Sequence, residues 1–318
     1  MKILMVGTGV IGTIYGNALS KHHEVTHFVR EKKFNIMNRR TIAYDIIDER
    51  EDEENMYTTG EYTYNCVTNI ASYYDLIFVP VNSYQLDEVL ETLIKQAPNS
   101  DYLLFTLNWN GTGKIDNILK KEQYIMGYAG GGGTFKDKLL WGNIGQDIML
   151  GTVYEEQNSL LNNTISIFEE CGIIPEVPSS ALHWLWMHNV GASPFGVGLS
   201  KYNDINTYLD DKKLIETCFK AMMECYSLCE KRGVNLKEFP EVEMYKMPFS
   251  NLYPMFISNF KENPIMQRFT SHALLAIDEM KDNFIQMYQL GKEMRIHMPN
   301  MEELAEIILL GLGDVGKA

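Results

Sequence analysis

Three glycines near the start of the chain, Gly7, Gly9 and Gly12, stand at G-x-G-x-x-G spacing, with Thr8, Val10 and Ile11 between them. This spacing suits a pyrophosphate. The first glycine allows a tight turn after a strand, the second removes a side chain that would block the phosphates, and the third lets a helix pack close to the sheet. Backbone N–H groups at the start of that helix then face the anion, aided by the positive end of the helix dipole. The alternative is a glycine-rich turn with no ligand. Arg30 follows the next apolar run, with Lys32 and Lys33 close behind and Glu31 between. A site built for a ribose 2′-hydroxyl usually carries Asp or Glu at this point, whereas an Arg accommodates a 2′-phosphate. The cations point to NADP(H); the other reading is a solvated charge cluster on a loop.

These residues need a strand–turn–helix–strand frame, and the flanking sequence supplies one. Residues 2–6 form a short apolar run, 11–19 have helical apolar spacing, and 24–29 read as a second strand. Further strands are predicted over 41–47, 74–81, 102–107 and 124–128, with a helix over 86–94. Ligands bind at the carboxyl ends of strands in such sheets. Asn82, Asn110 and the glycine run Gly130–Gly133, Gly132 included, are therefore expected near the cofactor, although the run also reads as a flexible crossing loop. The acidic stretch 48–54 (DEREDEE) reads as a solvated loop or hairpin tip.

From about residue 158 the pattern changes to helices, predicted over 159–171, 181–191, 212–232, 265–294 and 301–312, with no strand among them. The expected class is α/β. A Rossmann-type doubly wound sheet over 1–157 binds the nucleotide, and an all-helical domain over 158–318 serves substrate and dimerisation. The cleft between such halves is the default place for a substrate.

The 318 residues suit two domains, and 45% hydrophobic content suits an ordinary core. A formal charge of −14 argues against nucleic acid or an anionic membrane as the main partner. No apolar stretch has the length of a membrane span, and no leader is expected before the strand beginning at residue 2. The five cysteines include no C-x-x-C pair. Cys218, Cys225 and Cys229 share a helix face with Met222, the pattern of core packing rather than of a metal site. A reduced, cytoplasmic protein without a metal is expected.

In order and spacing, several motifs together resemble the ketopantoate reductase (2-dehydropantoate 2-reductase) family over nearly the whole chain. These are GTGVIG, Arg30 after the second strand, DLIFVPVNSYQ, LNWNG, CGIIPEV ahead of a helix carrying NVGASP, and AID near residue 278. The resemblance implies an NADPH-dependent reductase that delivers hydride to a 2-oxo acid, its helical domain capping the cofactor domain and supporting a homodimer. It matches Asn110 to an asparagine that contacts cofactor and substrate, and Asn189 and Asn203 to two substrate-binding asparagines. Other positions depart from the pattern. The catalytic lysine is Leu185, the second asparagine of the helix motif is Ser193, the lysine after the fourth strand is Asn82, and a glutamate is Ala276. A substrate-contacting serine falls around Asn263 or Pro264.

Leu185 can neither donate a proton to a developing alkoxide nor pair with a carboxylate. His188, at i+3, shares roughly its helix face and is the first candidate for the proton, with His183 weaker; a helix histidine satisfied by its neighbours is the plainer reading. Trp184 and Trp186 suit either an apolar pocket or core packing. Arg268 could meet a carboxylate or remain a surface charge, and the eighteen methionines are read as core. Three functions compete: a reductase of this family with an altered substrate, a non-catalytic NADP(H)-binding protein, and a different dehydrogenase on the same plan, opine- or hydroxy-acid-type, using His188.

Overall fold

The computed structural model describes residues 1–202, 204–274 and 276–314. Its contacts group the chain into two units: Met1–Leu182 with Arg268–Ser271, and His183–Gln267 with the described residues from His272 onward.

In the first unit, continuous apolar runs become strands covered on both faces. The chain runs through β1 (Lys2–Val6), α1 (Val10–Leu19), β2 (Glu24–Phe28), α2 (Glu31–Met37), β3 (Thr41–Asp48), β4 (Tyr57–Thr63), β5 (Cys66–Val67) and β6 (Leu76–Pro80). It continues through α3 (Leu86–Ile94), β7 (Tyr102–Phe105), β8 (Tyr124–Ala129), β9 (Gly132–Lys136), β10 (Leu139–Ile144), β11 (Asp147–Gly151), α4 (Asn158–Glu169) and β12 (Ile174–Glu176). Among the described residues the main sheet has the order β12-β11-β8-β7-β6-β1-β2-β5. Strands β5, β2, β1, β6, β7 and β8 run parallel, and β11 is antiparallel to β8. Strand order reverses at β1, so the switch point lies between β1 and β6, where such sheets place their ligands.

Helix α1 packs on this sheet through Tyr15, whose ring meets Phe78, Phe105 and Phe168 edge-on or tilted at 5.7–6.1 Å. The Tyr15 hydroxyl accepts the Gly130 N–H at 3.1 Å, which spares a buried phenol an unpaired oxygen.

A second sheet, β4-β3-β10-β9, is not signalled by the sequence reading. It explains the glycine run. Gly132 and Gly133 are strand residues, and a Cβ on Gly133 would lie 2.6 Å from the Gly142 Cα. The run is close backbone packing rather than a flexible crossing loop. The acidic stretch does join β3 to β4, but its first residues are not solvated. Asp48 is buried and pairs with Arg50 at 2.6 Å, and Arg50 also donates to the Cys171 carbonyl at 2.7 Å. Glu49 accepts from Asn143 at 2.7 Å.

The units divide after Leu182, where the sequence suggested residue 157. The difference is α4 and β12: α4 buries Leu160, Leu161, Ile167 and Phe168, of which Phe168 meets Tyr15 of α1, and β12 extends the main sheet beside β11. The strand β12 also corrects the expectation of helices alone after residue 158.

The second unit is helical among the described residues: α5 (Ala181–Leu199, from His183), α6 (Ile205–Asp210), α7 (Lys212–Lys231), α8 (Glu241–Tyr245), α9 (Phe249–Glu262), α10 (Pro264–Phe269, to Gln267), α11 (Ile277–Glu293) and α12 (Pro299–Asp314). The predicted 265–294 helix is broken into α10, a tight turn at Thr270–His272, and α11. Helix α7 buries Cys218, Met222, Cys225 and Cys229 along one side. No helix among the described residues is long and apolar enough to cross a membrane.

Candidate functional site

Gly7 follows β1 directly and takes a φ of +85°, a conformation only glycine adopts cheaply. Its N–H is donated to the Phe28 carbonyl at 2.8 Å, tying the loop to β2. A Cβ at Gly7 or at Gly9 would meet nothing within 4 Å, so both glycines border open space. At Gly12 a Cβ would touch the Met5 side chain and the Gly7 carbonyl at 3.4–3.5 Å, in ordinary contact. Helix α1 therefore lies close over β1. No side chain caps α1, and Gly9 stands at its N-cap. The N–H groups of the first turn are thus left for a ligand. This is the cradle that a pyrophosphate requires.

Arg30 is exposed at the N-terminus of α2, with Lys32 and Lys33 exposed beside it. Among the described residues their side chains make no hydrogen bond or ion pair within the protein. Three cations thus stand at the carboxyl end of β2, where a 2′-phosphate is read. Asn82 follows β6 and donates from Nδ2 to the Tyr84 hydroxyl at 2.9 Å. After β7 the chain turns through Trp109, buried, and Asn110, exposed, to Gly111 at φ +79°. Asn82 and Asn110 both fall at carboxyl ends of parallel strands, on the edge that carries the glycine loop. Gly132 is placed differently. It lies buried in β9 of the second sheet, its N–H is donated to Asn143 Oδ1 at 3.1 Å, and a Cβ would meet the Phe269 carbonyl at 2.9 Å. Its amide is already engaged by the protein.

Arg268 corrects another expectation. Its side chain is buried, 2.8 Å from the Asp45 carboxylate, donates to the Asp45 and Gly142 carbonyls, and stands over the Trp141 ring at 5.0 Å. It is neither a surface charge nor available to a substrate carboxylate. Asn263 caps α10, accepting the Ile265 N–H at 2.9 Å.

In the second unit, α5 carries the remaining candidates. Leu185 is fully buried. Asn189 is fully buried as well; its Oδ1 accepts from the Ser193 hydroxyl at 2.7 Å, while its Nδ2 is buried with no partner among the described residues. A buried amide donor left unmade costs on the order of 1–3 kcal/mol, so the geometry favours a ligand oxygen there. His188 stacks on Trp184 with ring centroids 5.1 Å apart and 4° between planes. Burial pushes its imidazole down to about 4, so the ring is neutral at neutral pH. His183 packs against Trp186, and the Arg232 guanidinium stands 3.4 Å over the Trp186 ring. Asn203 and the position of Leu275 lie outside the described residues.

Sequence reasoning missed His27. Buried in β2, it bonds the Gly7 carbonyl through Nδ1 at 2.7 Å. A histidine within a buried strand, opposite Gly16 of the preceding helix α1, was the available signal.

Residues 3–138 match the family model described as Ketopantoate reductase PanE/ApbA. Among solved structures, the chain resembles a dimeric ketopantoate reductase from Staphylococcus aureus, at 12% identity and TM-score 0.71, with 97% of this chain and 98% of that one covered. It also resembles a 2-dehydropantoate 2-reductase from Geobacter metallireducens GS-15, at 16% identity and TM-score 0.71, covering 98% and 100%. D-mandelate dehydrogenase in complex with NADH matches at 14% identity and TM-score 0.68, covering 98% of each chain. At such identities the structures speak for the fold alone. Over residues 3–138, the chain is similar to the ketopantoate reductase family.

Proposed function

We propose that the protein is an NADPH-dependent reductase that converts a 2-oxo acid or related carbonyl to the hydroxy compound, on a substrate altered from ketopantoate. The observation that carries this reading is the glycine cradle at the switch point, with open space at Gly7 and Gly9 and Arg30 at the end of β2. Gly7, Thr8, Gly9, Val10, Ile11 and Gly12 hold the pyrophosphate, Arg30 and Lys32 the 2′-phosphate, and Asn82 and Asn110 the nicotinamide half. NADPH supplies the hydride when bound. D-mandelate dehydrogenase, which shares the fold, has been solved with NADH, which supports a nicotinamide cofactor here.

The substrate oxygen gains negative charge as the carbonyl is reduced and needs hydrogen-bond donors and finally a proton. The unpartnered Asn189 Nδ2 is the donor α5 offers, held by the Ser193 bond to its Oδ1. Asn110 and Asn203 are the further amides. His188 acts as a neutral imidazole, donating its N–H to the carbonyl oxygen, because its burial disfavours the imidazolium. Replacement of the lysine by Leu185 removes the positive charge expected for a carboxylate, so the substrate is bulkier or less charged than ketopantoate. A homodimer through the helical unit and a reducing, cytoplasmic setting for the five buried thiols complete the reading.

The test is NADPH consumption across a panel of 2-oxo acids and related carbonyls that includes ketopantoate. Turnover on a bulky or weakly charged member supports the reading. Tight NADPH binding with no turnover on any member leaves a nucleotide-binding protein without this chemistry.

A further inference from the structure

Behind the glycine loop lies a buried polar chain that an apolar core has no need of. His27, Thr13 and Tyr64 are fully buried and Tyr62 is nearly so. Four hydrogen bonds run through them. His27 Nδ1 meets the Gly7 carbonyl at 2.7 Å, and Nε2 meets the Tyr62 hydroxyl at 2.8 Å. Tyr64 and Thr13 share a bond at 2.8 Å, and Thr13 Oγ1 donates to the Gly9 carbonyl at 2.7 Å. The three rings pack edge-on, with centroids 5.0–5.8 Å apart.

The proton positions follow from chemistry. A carbonyl can only accept, so His27 carries its proton on Nδ1 and donates it to Gly7. Burial pushes the ring down to about 4 and keeps it neutral, so Nε2 accepts and the Tyr62 hydroxyl donates. Thr13 spends its proton on Gly9, so Tyr64 donates to Thr13. Every donor has one acceptor, and both branches end on a carbonyl of the same loop. Thr13 reinforces the second branch with its own N–H, 2.9 Å from the Gly9 oxygen. Space has been made for the chain as well: a Cβ on Gly16 would lie 2.9 Å from His27 Nε2 and 3.0 Å from the Tyr62 hydroxyl.

We propose that His27, Tyr62, Tyr64 and Thr13 are positioning residues that turn the Gly7 and Gly9 carbonyls inward, so that the intervening N–H groups face the pyrophosphate and nucleotide affinity is set from beneath the loop. The proposal rests on the dinucleotide reading of that loop. A loop whose carbonyls could swing outward would present oxygen to an anion. The chain prevents this from two sides, since Phe28 and His27, adjacent on β2, take the N–H and hold the C=O of Gly7.

The experiment compares wild type with His27→Leu and His27→Asn, using hydrogen exchange of the 7–13 segment in the nucleotide-free protein and NADPH titration by fluorescence. Asparagine places its Nδ2–H where histidine has Nδ1–H. The expected result is faster 7–13 exchange and about tenfold weaker NADPH binding in His27→Leu, with both restored towards wild type in His27→Asn. Wild-type exchange and affinity in His27→Leu overturn the proposal, as does equal damage in both variants, which marks His27 as a packing residue. If His27→Leu does not fold, Tyr64→Phe deletes one hydroxyl and is read the same way at Gly9. Absence of NADPH binding by wild type refutes the dinucleotide reading itself, and the exchange data then still decide whether the chain holds the loop.

Discussion

The glycine loop and helix α5 belong to the same chain but solve their problems differently. The loop uses backbone: glycines that leave space, N–H groups at a helix start, and carbonyls held from behind by His27 and Thr13. Helix α5 uses side chains. There Asn189 has one donor without a partner among the described residues, and burial keeps His188 neutral. A site made of backbone accepts few substitutions because a side chain at Gly9 would fill the open space that a ligand needs. A site made of side chains can exchange its chemistry one residue at a time while the fold stays put. Under the proposed function the loop is therefore the more constrained end of the molecule, and α5 the end more open to change.

That contrast can be broken by substitution. Gly9 has φ −75° and ψ 179°, which any residue adopts, and its Cβ position is open. Gly9→Val is expected to leave the thermal midpoint unchanged while weakening NADPH binding by about 1,000-fold or more, since the new side chain occupies the pyrophosphate's place. A midpoint that drops with affinity would mean the loop is not open in this way.

Acid sharpens it next. His27 is lowered from 6.5 to about 4 by burial, so the folded state excludes a proton that the unfolded chain takes up. Stability from this group is complete above about 6.5 and is lost as pH falls towards 4, a change of about 3 kcal/mol. His188 is lowered likewise, to about 4, by burial. Urea unfolding of wild type and of His27→Asn between pH 7 and pH 4.5 separates the two regions: the variant should show the flatter dependence.

At the substrate end, His188→Ala should lower turnover about 100-fold once a substrate is found, with NADPH affinity unchanged. Because the ring is neutral, wild-type turnover should show no step near pH 6.5 from this residue. Unchanged turnover in the variant removes His188 from the chemistry. The smallest effect is expected at Arg30, which is exposed: Arg30→Ala should reduce the preference for NADPH over NADH by about tenfold and leave NADH affinity alone.

Much of the loop was legible in the sequence because its rules are local. G-x-G-x-x-G, the flanking strand and helix, and Arg30 lie within one βαβ unit, and the structure keeps them in one place. The second sheet was not legible, because β10 pairs with β3 across nearly a hundred residues and no short pattern records that. Gly132 read as a cofactor-side or loop glycine for the same reason: its partners are Asn143 and Phe269, distant in sequence. Arg268 read as surface because only Asp45 and the Gly142 carbonyl, far away in the chain, make it an interior residue. On α5 the identities of Leu185 and His188 were plain, but the neutrality of His188 and the unpaired amide of Asn189 depend on burial, which the helical spacing does not report.

The most direct test of the central claim is a parallel titration of the purified protein with NADPH and NADH, followed by nucleotide fluorescence. Saturable binding of NADPH at least about tenfold tighter than NADH is the expected result, given three exposed cations at the end of β2. Failure to bind either nucleotide, or tighter binding of NADH, would contradict the reading of the glycine loop and of Arg30.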